Sequence, residues 1–571
     1  MKRKKRIKYF KINKGSLEKL KKLGLPSDII EALRSLLNER YESEELFVQA
    51  VKNVIGVANF VKYGLEITKR STKYRRKKSK KKDVRLPEYQ LEQSGKHEIT
   101  ANGGMFLLAE LIKKTEMIES FNSMGIFLRQ KITEAVHILT LVMNQLCGGE
   151  VIFDTRYIDK DQALKAIFGS IHIPAPHTSG DFLERFTDVY VEKLRNIIHK
   201  MQDKMLRKLR KKLGSEVLVS LDSTIYEIFG NTIENSSMSY KRIFGYHPLM
   251  MHIQNTGEML DIYLRGGKEY TSTQAIDMLE HNICRLAKYF DKIIVLCDSG
   301  FFDQNITVPL KKLQERLNEL YQKTGREIEI KYIISAVFNR PLQEKVKTGD
   351  LDWNKPEKKP EKEGIKHRNS NTTNYRLKNL RENLRKHKKR LKIRGDVELA
   401  DFKHTVASWG VESRFVFKRQ EITIENLTNQ LEWIEPDDYF YHGYVTNIEE
   451  EDASAQEITE MIDGRGHQEK FIEDFKNGLS TTHIPTKHFY GNYAYFLISM
   501  LSWNLKCWLL FIIEPDQIMR WKRFRFLFVK VGVQVIKSAG YIKIRFGKGF
   551  KRFNEFLEIF EKIRKFNFEI S

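Results

Sequence analysis

The stretch DKIIVLCDSGFFD, residues 291–303, limits the fold of this chain more than any other. Five apolar residues stand in a row before Asp298, without the polar alternation of a strand that has one wet face. Such a run is what a strand buried on both faces requires. Upstream, EVLVSLDSTIYEIFG carries a strand signal rich in Val, Leu and Ile, with Asp222 near its middle. GYHPLMMHIQNTGEMLDIYLRGG follows as two apolar runs about Asn255-Thr256-Gly257, a hairpin signal. TSTQAIDMLEHNICRLAKYF then reads as a helix, and REIEIKYIISAVFN as a further strand. The order of strand, hairpin, helix and buried strand predicts an α/β arrangement. Taken singly, either aspartate could merely cap a strand or helix.

A third acidic position gives the two aspartates a context. In MIDGRGHQEKFIEDFKNG, residues 461–478, Arg465, Glu469 and Lys476 fall on one helical stripe. Asn477-Gly478 predicts a left-handed C-cap for that helix. The stripe has two readings. It is either an ordinary amphipathic helix with i, i+4 ion pairs, or a carboxylate for a divalent ion flanked by cations for phosphates. Glu473 lies close to the same stripe and rivals Glu469, while Asp474 faces the other way.

Charge favours a polyanionic partner. The 571 residues hold 99 Lys+Arg against 74 Asp+Glu, a formal net charge of +25, and nucleic acid is the commonest partner for such an excess. Residues 1–15 and the run KYRRKKSKKK at 73–82 cannot pack into a core, and they offer affinity for a phosphate backbone without sequence choice. Cys147, Cys284, Cys297 and Cys507 lie far apart and form no CxxC pair, so neither a disulfide framework nor a zinc ribbon is supported and a reducing cytoplasm is the expected compartment. Tyr493 to Ile513 is apolar enough to raise a membrane question, but Asn504 and Lys506 near its middle predict a buried core helix instead.

The block at 461–478 resembles the Tyr-x2-Arg-x3-Glu-x6-Lys signature of bacterial insertion-sequence DDE transposases, with Arg465, Glu469 and Lys476 in register. Ile462 stands at the tyrosine position. The following NGLSTTHIPTKHFYGNYAYFLISMLSWNL, together with LDSTIYEIFG, GYHPL and CDSGFF, is similar to stretches of the insertion sequence thirteen-eighty family, related to the insertion sequence four group. The similarity runs from about residue 95 to 560.

The resemblance implies a fold, a reaction and a set of roles. The fold class is α/β, an RNase H-like catalytic core interrupted by a β-rich insertion, with a helical N-terminal region. Residues 1–95 would form a basic helical DNA-binding region and 96–213 a second helical one. The core would occupy 214–340 and, with the glutamate helix, 441–515; the insertion would span 341–440, and a basic C-terminal region 516–571. Asp222, Asp298 and Glu469 would be catalytic and bind Mg2+, with Mn2+ able to substitute. Two such ions about 3.5–4 Å apart hydrolyse phosphodiesters.

Arg465 and Lys476 would hold DNA near the cut. Trp409 would either stack on a flipped base or fill the β-rich insertion. His247 would approach the site or close a turn. The expected partner is double-stranded DNA, as terminal inverted repeats and target, bound by a homodimer in the cytoplasm at the nucleoid and not at a membrane. The alternative is a non-catalytic DNA-binding protein derived from a transposase.

Overall fold

A computed structural model describes residues 10–37, 39, 41, 44–70, 98–126, 132–230, 232–357, 389–406, 409–426, 439–515, 517–538 and 540–568. The lysine run at 73–82 lies outside the described residues. The chain divides into two compact units, Met1–Gln93 and Ser94–Ser571.

The first unit is helical: Lys14–Lys22, Ser27–Leu33, Glu44–Ile55 and Val57–Arg70. Leu20, Leu33, Phe47 and Val51 are its buried centre. The Asn13 side chain accepts from Ser16 N and starts the first helix.

Among the described residues the second unit carries fourteen strands: β1 (Glu98–Thr100), β2 (Glu216–Ser223), β3 (Tyr226–Glu227), β4 (Ser237–Met238), β5 (Phe244–Tyr246), β6 (Leu249–Ile253), β7 (Met259–Tyr263), β8 (Lys292–Cys297), β9 (Glu329–Ser335), β10 (Lys389–Val406), β11 (Val411–Asn426), β12 (Tyr439–Thr446), β13 (Val533–Ser538) and β14 (Tyr541–Phe546). Eight of them form one mixed sheet in the order β10-β11-β12-β9-β8-β2-β6-β7. Within it β2, β8 and β9 run parallel, and the other pairings are antiparallel. Gly257, at φ +69°, makes the β6–β7 turn.

The unbroken apolar run of β8 is explained by what covers it. Ile293 and Val295 pack with helices Ala275–Leu286 and Gln304–Tyr321, while Ile294 and Leu296 pack with Ile458 and Ile462 of helix Ala455–Gly464. Burying both faces removes any position where a polar side chain could reach water.

The helices of 105–213 pack in one core with helix Phe489–Ile513, the glutamate helix and the C-terminal segment. Helix Phe489–Ile513 is long and apolar enough to cross a membrane, yet Tyr493–Leu510 is buried inside the protein. Its polar residues have internal partners. Asn504 Oδ1 accepts from Met259 N at 2.9 Å and its Nδ2 donates to Met259 O at 2.8 Å, which docks the helix on edge strand β7. Lys506 Nζ lies 3.5 Å from the centroid of the Trp503 ring and 3.9 Å from Asp474.

Three expectations from the sequence need correction. The block 461–478 is not one helix: Ala455–Gly464 and Gly466–Gly478 meet at Arg465. Gly478 is not a left-handed cap, because the helix runs through it and the left-handed residue is Ser480, at φ 54°. Its lack of a side chain serves close approach, since a Cβ there would stand 2.6 Å from Trp521 Cβ. Finally, HIPAPHTSGDFLERF reads from its sequence as a turn with a Thr or Ser cap leading into a helix, but the cap position is Ala175 and the helix Pro176–Glu184 starts with Pro176 in its first turn, where a missing N–H costs nothing.

The segment 341–440 joins the core sheet in its described part. There β10 and β11 continue the central sheet, and Phe415 and Phe417 enter the same core cluster as Val217 and Val295. Arg414, 5 % exposed, donates to Asp401 and to Ile448 O. Residues 358–388 and 427–438 lie outside the described part.

Candidate active site

Register alone brings the two aspartates together. β2 and β8 are parallel neighbours with Leu221 opposite Cys297, so the next residue of each, Asp222 and Asp298, stands side by side at that end of the two strands. Asp298 Oδ1 accepts from Gly300 N at 2.9 Å and fixes the turn Ser299–Phe301. Gly300 is required there, since a Cβ would sit 2.8 Å from Thr271 Cγ2 and 3.1 Å from Asp298 Oδ1.

Glu469 comes from a helix packed on the strand that bears Asp222. Helix Gly466–Gly478 is seated on β2 by the buried Gln468, whose Nε2 donates to Ser220 O at 3.2 Å, and by Phe471 and Phe475 in the core. At the junction before it, Arg465 Nη1 donates to Asp222 Oδ2 at 3.2 Å, and Nη2 lies 3.9 Å from Glu469 Oε1. Asp222 is 8 % exposed, whereas the Glu469 side chain is half-exposed, so the cluster opens to solvent on the glutamate side.

The electrostatics are those of crowded acids around one cation. Burial, and then the charge of Asp298, push the Asp222 carboxyl up to about 7, against the opposing pull of Arg465. Burial works to lower the Arg465 pKa, but Asp222, Asp298 and Glu469 outweigh it and hold the guanidinium proton more firmly than usual. Three carboxylates sharing one arginine are short of positive charge. Hard oxygen donors in that state fit a divalent cation of the magnesium type.

Lys476 is not a free cation. Its Nζ donates to Thr224 Oγ1 at 2.6 Å and Ile225 O at 2.7 Å, and it stands 4.5 Å from the centroid of the Tyr226 ring. It therefore fastens the glutamate helix to the turn just after Asp222. Burial, and then Lys241, lower its pKa to about 8.

Glu473 turns away and pairs with Arg520 at 3.6 Å. Asp474 accepts from Trp521 N at 2.6 Å. Trp409 is half-buried, with its ring centroid 4.8 Å from that of Phe302, just beyond the Asp298 turn. His247 is 1 % exposed and its Nδ1 donates to Glu269 O at 2.8 Å. Sequence reasoning missed Thr224 and Thr271. Thr271 Oγ1 accepts from Ser223 Oγ at 3.4 Å and also lines the Asp298 turn, and no motif marked it.

A second cluster, His199, Asp261 and His281, has its donor atoms within 4.8 Å of one another, a spacing that would admit a metal ion. Its surroundings do not suit one. Arg195 lies 3.3 Å from Asp261, Asn282 Nδ2 and Ile262 N donate to the same carboxylate, and Arg285 donates to His199 O. A further dication there would face two guanidiniums over a carboxylate already neutralised.

The family model for Transposase DDE domain group 1 matches residues 81–568. The chain belongs to that family. Membership in the DDE transposases implies a nuclease or strand-transferase activity. No curated protein matches the chain. Among solved structures, similarity extends to the cryo-EM structure of a piggyBac transposase synaptic complex with hairpin DNA. The identity is 11 % and the TM-score 0.33, over 76 % of this chain and 81 % of that one.

Proposed function

We propose that this DDE transposase cuts phosphodiester bonds at the ends of a mobile element and joins the freed 3′ ends to target DNA, a cut-and-paste reaction. The observation that carries the reading is the convergence of Asp222, Asp298 and Glu469 from two neighbouring parallel strands and a helix, with Arg465 bonded to Asp222, 3.9 Å from Glu469 and within electrostatic reach of Asp298. The family membership supplies the reaction class.

Asp222, Asp298 and Glu469 would hold the divalent ions, Mg2+ with Mn2+ as a substitute. When bound, such ions polarise the phosphate and lower the pKa of the attacking hydroxyl or water. The chain's own residues prepare that site. Asp222 and Asp298 are held by strand register, Ser223 N and Gly300 N. Arg465 favours the ionised form of buried Asp222 against burial and the charge of Asp298, and Lys476 fixes the helix that presents Glu469.

The core order β7-β6-β2-β8-β9, with an antiparallel meander on one side and parallel strands on the other, supports an RNase H-like assignment. In this reading the enzyme is a member of the insertion sequence thirteen-eighty family and acts as a homodimer on double-stranded DNA at the nucleoid. The net charge of +25 supports the DNA partner.

The test is purified protein with linear DNA carrying the inverted repeats that bracket the coding sequence, with Mg2+ added or withheld. Cleavage at the repeat ends only with the metal is the expected result. Binding without cleavage under both conditions would instead support a non-catalytic DNA-binding protein.

A further inference from the structure

Two tyrosines, on the loop that touches the ends of the aspartate strands and on the turn packed against it through His247, face water; the Lys241 ammonium lies 5.3 Å from the centroid of the Tyr240 ring. Tyr270 is 76 % exposed and Tyr240 63 % exposed. Aromatic rings of this size are ordinarily drawn into a core or an interface.

Tyr270 is held out on a stiff loop. Arg265, 2 % exposed, donates from Nη1 to the carbonyls of Tyr270 and Thr271, both at 3.2 Å, and to Thr273 O. Its Nε donates to His247 O at 2.9 Å. The next residue, Thr271, touches both Ser223 and the Gly300 turn, so the Tyr270 backbone is one residue from the ends of both aspartate-bearing strands.

Tyr240 rises from a turn closed by Arg242 N donating to Ser239 O at 2.9 Å, between β4 and β5. Its ring lies 6.0 Å from the ring of His247, which in turn bonds the Tyr270 loop at Glu269 O. Lys241 and Lys268 are exposed on the same two segments.

Exposed rings on fixed backbone, interleaved with lysines, are the chemistry that grips single-stranded nucleic acid. The rings stack on bases and the ammonium groups meet phosphates. We propose that Tyr240 and Tyr270 are positioning residues that stack on unpaired bases of the DNA strand running past the acid cluster, with Lys241 and Lys268 on its phosphates. The proposal rests on the transposase reading and adds to it a binding surface separate from the three acids.

The probe is a duplex with a short single-stranded flank carrying 2-aminopurine, compared with the same duplex fully paired. Wild-type protein, Tyr240→Phe and Tyr270→Phe quench the probe on binding. Tyr240→Ala and Tyr270→Ala lose the quench and bind the flanked DNA about tenfold more weakly, with unchanged affinity for the paired duplex. Both side chains lie at the surface, so the alanine variants keep the wild-type Tm. Quenching and affinity in the alanine variants equal to wild type overturn the proposal. Cleavage by wild type without any quench sinks the stacking surface and leaves the nuclease reading standing. Quenching without cleavage does the reverse.

Discussion

Arg465 Nη1 reaches Asp222 Oδ2 at 3.2 Å across 243 positions of sequence, and it is the cation through which the acid cluster is held together. Both side chains are nearly buried, at 11 % and 12 % exposed. Removing one partner of such a pair leaves an uncompensated buried charge. Arg465→Ala is expected to cost about 3 kcal/mol at pH 8 in the absence of divalent ions.

The pH dependence of that loss has a definite sign. Asp222 titrates near 7 in the folded protein against 3.8 as a free carboxyl, so its ionisation costs stability as pH rises from about 4 to about 7. A protonated Asp222 does not need the arginine. The deficit of Arg465→Ala therefore shrinks at pH 5, and denaturation of both proteins at pH 5 and pH 8 measures it. An equal deficit at both values would place the damage elsewhere.

Asp222→Asn, Asp298→Asn and Glu469→Gln should each abolish cleavage of end-bearing DNA while leaving binding in a mobility-shift assay intact. Glu473→Gln, whose side chain pairs with Arg520 on the surface, should cleave normally. Full cleavage by any of the first three variants counts against the assigned cluster.

Gly478→Ala tests the close approach of the glutamate helix to Trp521. A Cβ at 2.6 Å from Trp521 Cβ and 2.8 Å from Cγ cannot be absorbed by a flexible chain end. The expected loss is about 1–3 kcal/mol, read as a lower unfolding midpoint in denaturant. Gly466→Ala, in the same helix with nothing within 4 Å of its Cβ, should be neutral or gain up to about 1 kcal/mol.

His252 sits fully buried in β6 with its ring 5.9 Å from Phe471 of the glutamate helix. Burial pushes its pKa from 6.5 down to about 3, so the unfolded chain takes up a proton that the folded one refuses. Stability from this group is complete above pH 6.5 and falls as pH drops, by about 2 kcal/mol at pH 5. Thermal melts of wild type and His252→Leu at pH 7 and pH 5 check it. The variant should lose less on acidification.

The parts of this fold that can be read from sequence are those written in local pattern. The apolar run of β8, the Asn255-Thr256-Gly257 turn and the strand around Asp222 follow from residues close together in the chain. The three acids were legible only through their resemblance to a spaced signature, because no local rule ties residues so far apart. What could not be read depends on partners elsewhere. Nothing in the spacing of Lys476 says that Thr224 will take its ammonium, and nothing around Gly478 announces Trp521. Likewise the alternation of β10 and β11 marks strands but not which sheet they join.

Helix Phe489–Ile513 leaves the ribosome looking like a span meant for lipid. Part of what will enclose it, the helices between residues 105 and 213 and strand β7, has by then been synthesised, since it precedes the helix in the chain, and the C-terminal segment from Trp521 onward closes over the rest afterwards. A nascent chain that folds from its N-terminal side can therefore receive this greasy rod into a sleeve already half built. Chain order itself shortens the interval in which the rod could be captured by a bilayer or by a neighbouring copy.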